Sequence, residues 1–495
     1  MNNSKYILSL DQGTTSSKAV LINEEAEIIQ TSNNFSIKGI YPREGWVEYN
    51  PDDLFNSLKN AAREILANSH VLHSNIEGLG LSNQGETIIA FDKLIGRPLC
   101  NAISWQDRRS ENIAKEWREK GLEEKVKRIS GLTIDAYFSA TKIKWILNEN
   151  ETAKKLLKQN RLAIATSDAW LLWQLTGGKV YVTDAATASR TMLFDLSKQD
   201  WSDELLADLE IPREILPDIV PNASFIENTV QEFSGGTLPV SGVCVDQHAA
   251  LFGQRCHTKS TGKITYGTGC FALVNAGEDP NVRASGLLTA LGWKINNTSH
   301  YILEGGVYSA GSIIEWLISL GILASADQAD SLARSVRSNG GVYLIPAFSG
   351  LGAPHWNNTV KASWHGLETG TQKAHFVRSA LESISFRVKE IIDVMSQQKI
   401  NPSVINVDGG LTHSRFLMQF QADLLQTPVV VSSNPEMTAL GTGLMAGIGI
   451  GFWKEDSLPG GKSDETVYEP SGSGYEAAIK GFEEWKKICK SMIII

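Results

Sequence analysis

The same short pattern occurs twice in the chain, once near its start and once near its middle. Residues 8–22, LSLDQGTTSSKAVLI, and residues 263–277, KITYGTGCFALVNAG, each place a turn of glycine and hydroxyl residues between two apolar runs. Apolar runs separated by Gly and Thr are typical of two strands joined by a tight turn. Because a chain of 495 residues is too long for one hydrophobic core, the repeat predicts two similar α/β halves.

The segments around the two copies follow a similar order. Alternating apolar positions predict strands, and apolar residues at helical spacing predict helices. The predicted strands cover residues 45–50, 76–83, 87–92, 287–295 and 300–305, and the predicted helices cover 51–68, 111–129, 309–321 and 371–395. A polar segment at 228–242 precedes the second copy, so we expect a boundary and a hinge near 252–260, with domains at 1–253 and 254–495. Two such halves form a cleft, where ligands prefer to bind.

Composition restricts the partners and the compartment. The net charge is −9, and no Lys/Arg cluster is interleaved with aromatic residues. This balance argues against nucleic acid or an anionic membrane as the main partner and favours a small ligand. No apolar run approaches 18 residues, and the five cysteines form no CxxC motif. Scattered, reduced thiols predict a cytoplasmic protein.

The two turns have the chemistry of a phosphate-binding site. Gly-Thr-Thr at residues 13–15 and Gly-Thr-Gly at residues 267–269 offer backbone N–H groups and hydroxyls, with no Cβ at the glycines to block approach. Either turn alone is more often an ordinary β-turn. One turn in each half, however, could provide donors to a phosphoryl group from two sides, as phosphoryl transfer requires.

Charged residues lie beside the first turn. Asp11 ends an apolar run, which costs free energy unless a cation meets the carboxylate. Mg²⁺ on nucleotide phosphates is the natural partner, through water. Lys18 could reach a terminal phosphate, although a lone lysine on a strand is usually only solvated.

In the second half, the apolar run before Asp408 is followed by Gly409 and Gly410, where the backbone could approach a base or ribose closely.

Ten segments resemble, in the same order, those of the glycerol kinase branch of the FGGY carbohydrate kinases. The resemblance covers nearly the whole chain and implies two actin-like, RNase H-like domains around an interdomain catalytic cleft. It also implies ATP, Mg²⁺ and a small polyol or sugar acceptor that is phosphorylated on a terminal hydroxyl. The segments are LSLDQGTTSSKAV, GWVE, LSNQGET, NAISWQDRR, YFSATKIKWIL, LTGGKVYVTDAATASRTMLFD, VDQHAALFGQ, TYGTGCF, PAFSGLGAPHW and VDGGLTHSRFLMQFQADLL.

The resemblance also implies roles for individual residues. Asp246 matches the general base that takes the acceptor proton, and a carboxylate at the end of an apolar run beside a cleft suits that chemistry. The alternative is that Asp246 only caps the next helix. The residues similar to the acceptor-binding shell are Glu86, Trp105, Tyr137 and Gln247. Those similar to the nucleotide-binding positions are Thr14, Thr15, Gly267, Thr268, Gly311, Gly410 and Ser414.

The sequence departs from this family pattern at two positions. Glycerol kinases have an arginine where this chain has Gly85, and that arginine would bind a terminal hydroxyl of glycerol. Its loss either weakens glycerol binding by about tenfold to a hundredfold or leaves space for a longer acceptor. Lys18 also replaces an arginine, which keeps the charge but loses the bidentate geometry.

The expected activity is ATP-dependent phosphorylation of a small polyol, with glycerol to glycerol 3-phosphate as the first candidate. A four- or five-carbon acceptor such as erythritol, threitol, xylulose or ribulose is the alternative that Gly85 leaves open. A third reading is an actin-like ATPase that is not a kinase, in which the cleft only changes the domain angle. The acceptor-like cluster argues against this third reading. A homo-oligomer is compatible with the sequence, which does not determine the oligomeric state.

Overall fold

The computed structural model describes residues 4–460 and 465–493. The strands of the first half are β1 (Tyr6–Gln12), β2 (Ser16–Ile22), β3 (Ile28–Thr31), β4 (Phe35–Ser36), β5 (Glu48–Tyr49), β6 (Ile76–Asn83), β7 (Ile88–Asp92), β8 (Ala102–Ile103), β9 (Leu162–Thr166), β10 (Val182–Asp184), β11 (Phe194–Asp195), β12 (Asp200–Trp201), β13 (Asp218–Val220), β14 (Ala223–Asn228) and β15 (Pro239–Val245). Those of the second half are β16 (Gly262–Tyr266), β17 (Cys270–Gly277), β18 (Leu288–Ile295), β19 (Thr298–Val307), β20 (Tyr343–Ile345), β21 (Ser363–His365), β22 (Ile405–Asp408), β23 (Val429–Val431) and β24 (Thr466–Tyr468).

Helices cover both faces of the sheet system. In the first half they are α1 (Pro51–Asn68), α2 (Glu111–Glu119), α3 (Glu123–Ser130), α4 (Ser139–Glu149), α5 (Glu151–Lys158), α6 (Ser167–Leu175), α7 (Ala185–Ala188), α8 (Asp203–Asp208), α9 (Gln231–Ser234) and α10 (Asp246–Gly253). In the second half they are α11 (Gly311–Ser319), α12 (Gln328–Arg334), α13 (Lys373–Gln397), α14 (Arg415–Leu425), α15 (Met437–Gly449) and α16 (Gly472–Ile493). No helix in the described ranges has the length and apolarity needed to span a membrane.

The predicted repeat is present in the largest sheet. In the first half β1, β2 and β3 are antiparallel neighbours, and β6 and β15 extend the sheet parallel to β1. In the second half β16, β17 and β19 are antiparallel neighbours, and β22 and β23 extend the sheet parallel to β16. The two five-stranded units are the RNase H-like halves expected from the sequence. They meet through β14 and β18, which share one register pair, Ala223 with Ile295.

A smaller sheet in the first half has the order β5–β8–β7–β9. The sequence predicts a strand at residues 45–50 as the third in chain order; a two-residue strand, Glu48–Tyr49, is present there, but it is the fifth strand and belongs to this smaller sheet. The third strand of the large sheet is Ile28–Thr31, an edge strand without fully buried side chains, whereas Glu48–Tyr49 is a two-residue strand of the smaller sheet. An edge strand lacks the apolar alternation by which sequence patterns reveal strands.

Helices α10 and α15 cross between the two halves at very short distance. A Cβ added to Gly441 would lie 1.8 Å from the carbonyl oxygen of Ala249, and one added to Gly253 would lie 2.1 Å from that of Met437. Residues 441–446, GTGLMA, therefore form a small-residue face of α15. Helix α15 also packs on β1, β6 and β15, so it holds the first-half sheet against the second half.

Candidate active site

The first glycine-threonine turn connects β1 to β2 and faces the cleft. The Gly13 N–H donates to the carbonyl oxygen of Ser16 at 3.0 Å, which closes the turn. Thr14 is half-buried and Thr15 is exposed. The hydroxyl oxygen of Thr14 accepts a hydrogen bond from Nε1 of Trp105 at 3.1 Å. The turn is thereby fixed to the lobe that carries the predicted acceptor residues.

The second turn lies between β16 and β17 and packs against the start of α11. Gly267 and Thr268 are exposed. The Gly311 N–H donates to the Gly267 carbonyl oxygen at 2.9 Å, and the Ser312 N–H donates to that of Thr268 at 3.1 Å. A Cβ on Gly311 would lie 2.6 Å from the Gly267 oxygen, so only glycine permits this approach. Three of the predicted nucleotide-binding residues are thus neighbours.

The remaining predicted nucleotide-binding residues follow β22. Gly409 has a φ of 96°, and a Cβ there would lie 2.4 Å from the carbonyl oxygen of Tyr266. Gly410 has open space on its Cβ side. The Ser414 hydroxyl caps α14 by accepting from the Leu417 N–H at 3.2 Å, and it donates to Asp330 at 3.1 Å. Ser414 therefore has a structural role in this state of the protein.

Asp246 and Asp11 meet where parallel strands end. Asp246 is the first residue of α10, directly after β15, and Asp11 is the penultimate residue of β1. Strand β6 lies between them and pairs in register with both strands, and its Ser82 hydroxyl donates to Asp11 at 2.6 Å. Asp246 also accepts from the N–H of Gln247 at 2.7 Å, but the N-cap of α10 is Val245 and the helix has no side-chain capping hydrogen bond.

Burial and neighbouring carboxylates change the acidity of this pair. Burial, together with the charges of Asp11 and Glu86, raises the pKa of Asp246 to about 7. Burial also raises the pKa of Asp11, and the nearby Glu436 raises it further, against the hydrogen bond from Ser82. A carboxyl group that titrates near neutral pH in a cleft is suited to general base catalysis.

Lys18 does not extend freely toward the turn. Its Nζ donates to Oε1 of Glu436 at 2.6 Å, which links β2 to the start of α15. Lys18 is also the register partner of Asp11 across the β1–β2 pair. The lysine therefore lies in the predicted phosphate region, but one carboxylate already binds it.

The chemistry of these groups fits a divalent cation. Asp11, Asp246 and Glu436 bring three carboxyl groups into electrostatic contact, and Lys18 is the cation paired with Glu436. The raised pKa values of Asp11 and Asp246 partly reflect carboxylate repulsion, which a bound cation relieves. Carboxylate oxygens combined with water and phosphate are the ligands that Mg²⁺ prefers.

A cavity of about 140 Å³ lies beside Asp246. Every acceptor residue predicted from the sequence lines it, together with Thr14 of the first turn. The lining residues are Thr14, Gly85, Glu86, Trp105, Tyr137, Arg190, Val245, Asp246, Gln247, His248, Phe271 and Glu304. Trp105 and Tyr137 contact each other edge to face, with ring centroids 5.6 Å apart. The cavity thus combines carboxylates and an amide with an aromatic face, which suits a small molecule with hydroxyls on a carbon chain.

Two residues that line the cavity, Glu86 and Tyr137, have unusual backbone features. Glu86 has a positive φ of 54°, a conformation that is strained for a non-glycine residue and common at functional sites. Burial raises the pKa of Tyr137 well above its ordinary value, so its hydroxyl stays protonated. The Nζ of Lys142 donates to the carbonyl oxygens of Ala136, Tyr137 and Phe138 at 2.7, 2.6 and 3.1 Å. This buried lysine fixes the backbone that positions the tyrosine ring.

Arg190 and Glu304 are the main residues that the sequence analysis missed. The Nε of Arg190 donates to Glu86 at 2.7 Å, and its Nη1 donates to Glu304 at 2.7 Å. Burial disfavours the charged guanidinium, but Glu304 and Glu86 outweigh this effect and hold the pKa of Arg190 well above its ordinary value. Because Glu304 belongs to β19, this ion-pair network joins the two halves at the cavity. The sequence signal available for these two residues was that each is a single charged residue within a run of apolar or small residues.

His248, Val245 and Phe271 complete the missed set. Burial lowers the pKa of His248 well below its ordinary value, so the imidazole is neutral. Its Nδ1 is buried and has no hydrogen-bond partner among the described residues. Val245 is the last residue of β15, and Phe271 follows the second turn. Nothing in their sequence spacing marks apolar residues as part of a site.

Similar proteins match this chain over nearly its whole length. The sequence matches the FGGY family of carbohydrate kinases, with the N-terminal domain at residues 6–253 and the C-terminal domain at residues 262–450. A glycerol kinase of Oleidesulfovibrio alaskensis is 44% identical over 487 residues, 98% of each chain. Glycerol kinase 2 of Thermotoga maritima is 41% identical over 486 residues, also 98% of each chain.

A solved structure extends the comparison to three dimensions. Plasmodium falciparum glycerol kinase, crystallised with ADP, superposes with a TM-score of 0.92 at 32% identity, and the match covers 99% of this chain and 98% of that one. The sequence of both halves and the two-domain fold therefore agree with the family. The chain belongs to the FGGY family of carbohydrate kinases.

Proposed function

We propose that this protein transfers the γ-phosphoryl group of ATP to a terminal hydroxyl of glycerol and releases glycerol 3-phosphate and ADP. The cavity carries this proposal: it is small, and Asp246 lies in its wall beside Thr14 of the first glycine-threonine turn. Full-length relatives that are named glycerol kinases support the choice of acceptor. The absence of the arginine at Gly85 leaves the four- and five-carbon acceptors as the alternative.

In the proposed reaction Asp246 accepts the proton of the attacking hydroxyl. A bond forms between that oxygen and the γ-phosphorus while the bond from phosphorus to the bridging oxygen of ADP breaks. Glu86 and Gln247 bind the acceptor hydroxyls, and Trp105 and Tyr137 contact its carbon chain. Asp11 would hold Mg²⁺ through water, and at that place the cation would supply neutralisation of the phosphate charge.

In this proposal the two halves bind different substrates. Residues 1–253 bind the acceptor and part of the phosphate chain, and residues 254–495 bind the nucleotide. The phosphate groups contact Thr14, Thr15 and Lys18 on one side and Gly267 and Thr268 on the other. The nucleoside lies near Gly311, Gly410 and Ser414. The reaction takes place in the cytoplasm, in keeping with the unpaired cysteines.

The decisive test replaces the proposed base. Asp246→Asn keeps the size of the side chain but cannot accept the proton, so kcat with glycerol should fall by about 10²–10⁴-fold, while the Kd for ATP, measured by calorimetry, stays unchanged. Asp53→Asn, at an exposed position of α1, is the matched control and should retain full activity. A loss below tenfold in Asp246→Asn would remove Asp246 from this role.

A substrate panel tests the activity itself. ADP release with MgATP is measured against glycerol, dihydroxyacetone, erythritol, threitol, xylulose and ribulose. We expect kcat/KM for glycerol to exceed every other value by tenfold or more. A longer acceptor with the highest value would support the alternative substrate class, and ATP hydrolysis that is indifferent to every polyol would indicate an ATPase that is not a kinase.

A further inference from the structure

Gly85 and Val245 face each other in the wall of the acceptor cavity. Glycerol kinases of this family have an arginine at the position of Gly85, so the absent side chain would be expected to leave a void. Both residues line the cavity, and Val245 is buried, with 3% of its surface exposed. The space next to Gly85 is occupied by this valine.

A side chain at residue 85 would require Val245 to move. A Cβ built on Gly85 would lie 2.9 Å from Cγ2 of Val245, closer than nonbonded carbon atoms approach each other. Val245 ends β15 and is paired in register with Asn83 of β6, so the sheet holds the backbone of Val245. Gly85 lies in the bend that follows β6, where its carbonyl oxygen accepts a hydrogen bond from the Thr87 N–H at 2.6 Å. The β-branched side chain of Val245 has restricted χ1 freedom, so its methyl group cannot easily turn away.

We propose that Val245 is a specificity-determining residue: its γ2 methyl closes the cavity wall at Gly85 and restricts the acceptor to three carbons on that side. This inference rests on the proposed polyol kinase activity and specifies its substrate class. Gly85 and Val245 then form a coupled pair, since either an arginine at 85 or a valine at 245 can be accommodated, but not both.

The polarity of the cavity wall also differs between an arginine at residue 85 and the pair of Gly85 and Val245. A guanidinium at residue 85 would offer hydrogen-bond donors, whereas Val245 offers only methyl groups. The nearby Arg190 is engaged by Glu86 and Glu304, so a terminal acceptor hydroxyl depends chiefly on Glu86 at this end. We therefore expect the wild-type protein to select acceptors by length at this wall, with a weaker requirement for a hydroxyl facing it.

A double-mutant cycle tests the coupling. The proteins are wild type, Val245→Ala, Gly85→Arg and Gly85→Arg/Val245→Ala, each assayed for kcat/KM with glycerol and with erythritol. Val245→Ala should raise the erythritol-to-glycerol ratio at least tenfold, because it removes the closing methyl. Gly85→Arg alone should lower kcat/KM for glycerol at least tenfold, and adding Val245→Ala should restore most of that loss, a non-additivity expected of residues in contact.

Val243→Ala is the matched control, since Val243 lies in the same strand and is fully buried away from the cavity. It should leave the erythritol-to-glycerol ratio unchanged, and ATP binding by each variant reports that it is folded. The inference is overturned if Val245→Ala behaves like Val243→Ala, if Gly85→Arg alone is fully active, or if the wild type uses erythritol as well as glycerol. If the wild type phosphorylates no polyol, the proposed function itself fails.

Discussion

At the scale of single residues, the site is an arrangement of buried carboxylates with few cations. Asp246 and Asp11 are close enough to raise the pKa of Asp246, and Glu86 adds to the effect. Arg190 forms ion pairs with Glu86 and with Glu304 and so partly compensates the charge of these two carboxylates. The cavity wall at Asp246 is therefore negatively charged. This charge favours both a proton-accepting carboxylate and a cation bound to phosphate.

This arrangement gives the reaction a defined pH dependence. Asp246 must be ionised to accept a proton, and its pKa is raised to about 7, so the active form of the free enzyme is lost as the pH falls below 7. We expect kcat/KM for glycerol to decrease about tenfold per pH unit below pH 7 and to level off above it. Initial rates between pH 5 and 9 measure this profile. The residual rate of Asp246→Asn should not follow it, and a flat wild-type profile down to pH 5 would exclude the carboxylate as the base.

The residues of the site were only partly predictable from the sequence. Asp246, Glu86 and Tyr137 could be proposed because they lie in segments that resemble a known family, and the structure places them around one cavity. Arg190 and Glu304 come from a loop after α7 and from β19, far apart in the chain, and only the fold brings them together. The Gly85–Val245 contact depends on a distance of a few ångströms, which no spacing in a single sequence encodes.

At the scale of elements, the sequence predicts a helix or strand correctly where the residues that determine its bounds lie within it or directly beside it. Helix α1 begins and ends where the sequence predicts, because Asn50 caps it and Pro51 occupies its first position. The edge strand β3 was missed because sheet pairing, rather than its own pattern, makes it a strand. The small residues of α15 are present in the sequence, but their packing partner, α10, could be identified only in the structure.

The crossing of α10 and α15 yields a prediction of its own. In Gly441→Ala the new Cβ would lie 1.8 Å from the Ala249 carbonyl oxygen, so the helices must separate, at a cost of about 1–3 kcal/mol or more. We expect a Tm several degrees below that of the wild type in a thermal melt followed by circular dichroism. Gly370→Ala is the control, because a Cβ there meets no atom within 4 Å; equal melting temperatures for the two variants would contradict the packing argument.

At the scale of the whole molecule, the two halves share hydrophobic cores. One buried cluster combines Ile7 and Ala249 of the first half with Trp293 and Leu444 of the second. Another combines first-half residues with Leu288, Leu291 and Tyr301. Closure of the cleft around a hinge near 252–260 remains a prediction, but any such motion must preserve these shared contacts. We therefore expect the halves to depend on each other for stability.

This dependence can be tested with the isolated first half. Residues 1–253 alone would expose the faces of β1, β6 and β15 that α15 covers, and burial of apolar area is the main stabilising contribution to a core. We expect this fragment to bind the dye ANS and to melt without a cooperative transition.

The fragment also offers its own matched control. Gly253 lies against Met437, the first residue of α15, so a Gly/Ser linker of about six residues is long enough to join residues 435–453 to the end of the fragment. Restoring α15 in this way should recover a cooperative melt and reduce ANS binding. If residues 1–253 alone melt cooperatively within a few degrees of the full chain, the first half carries a complete core, and α15 contributes to the cleft without stabilising the sheet beneath it.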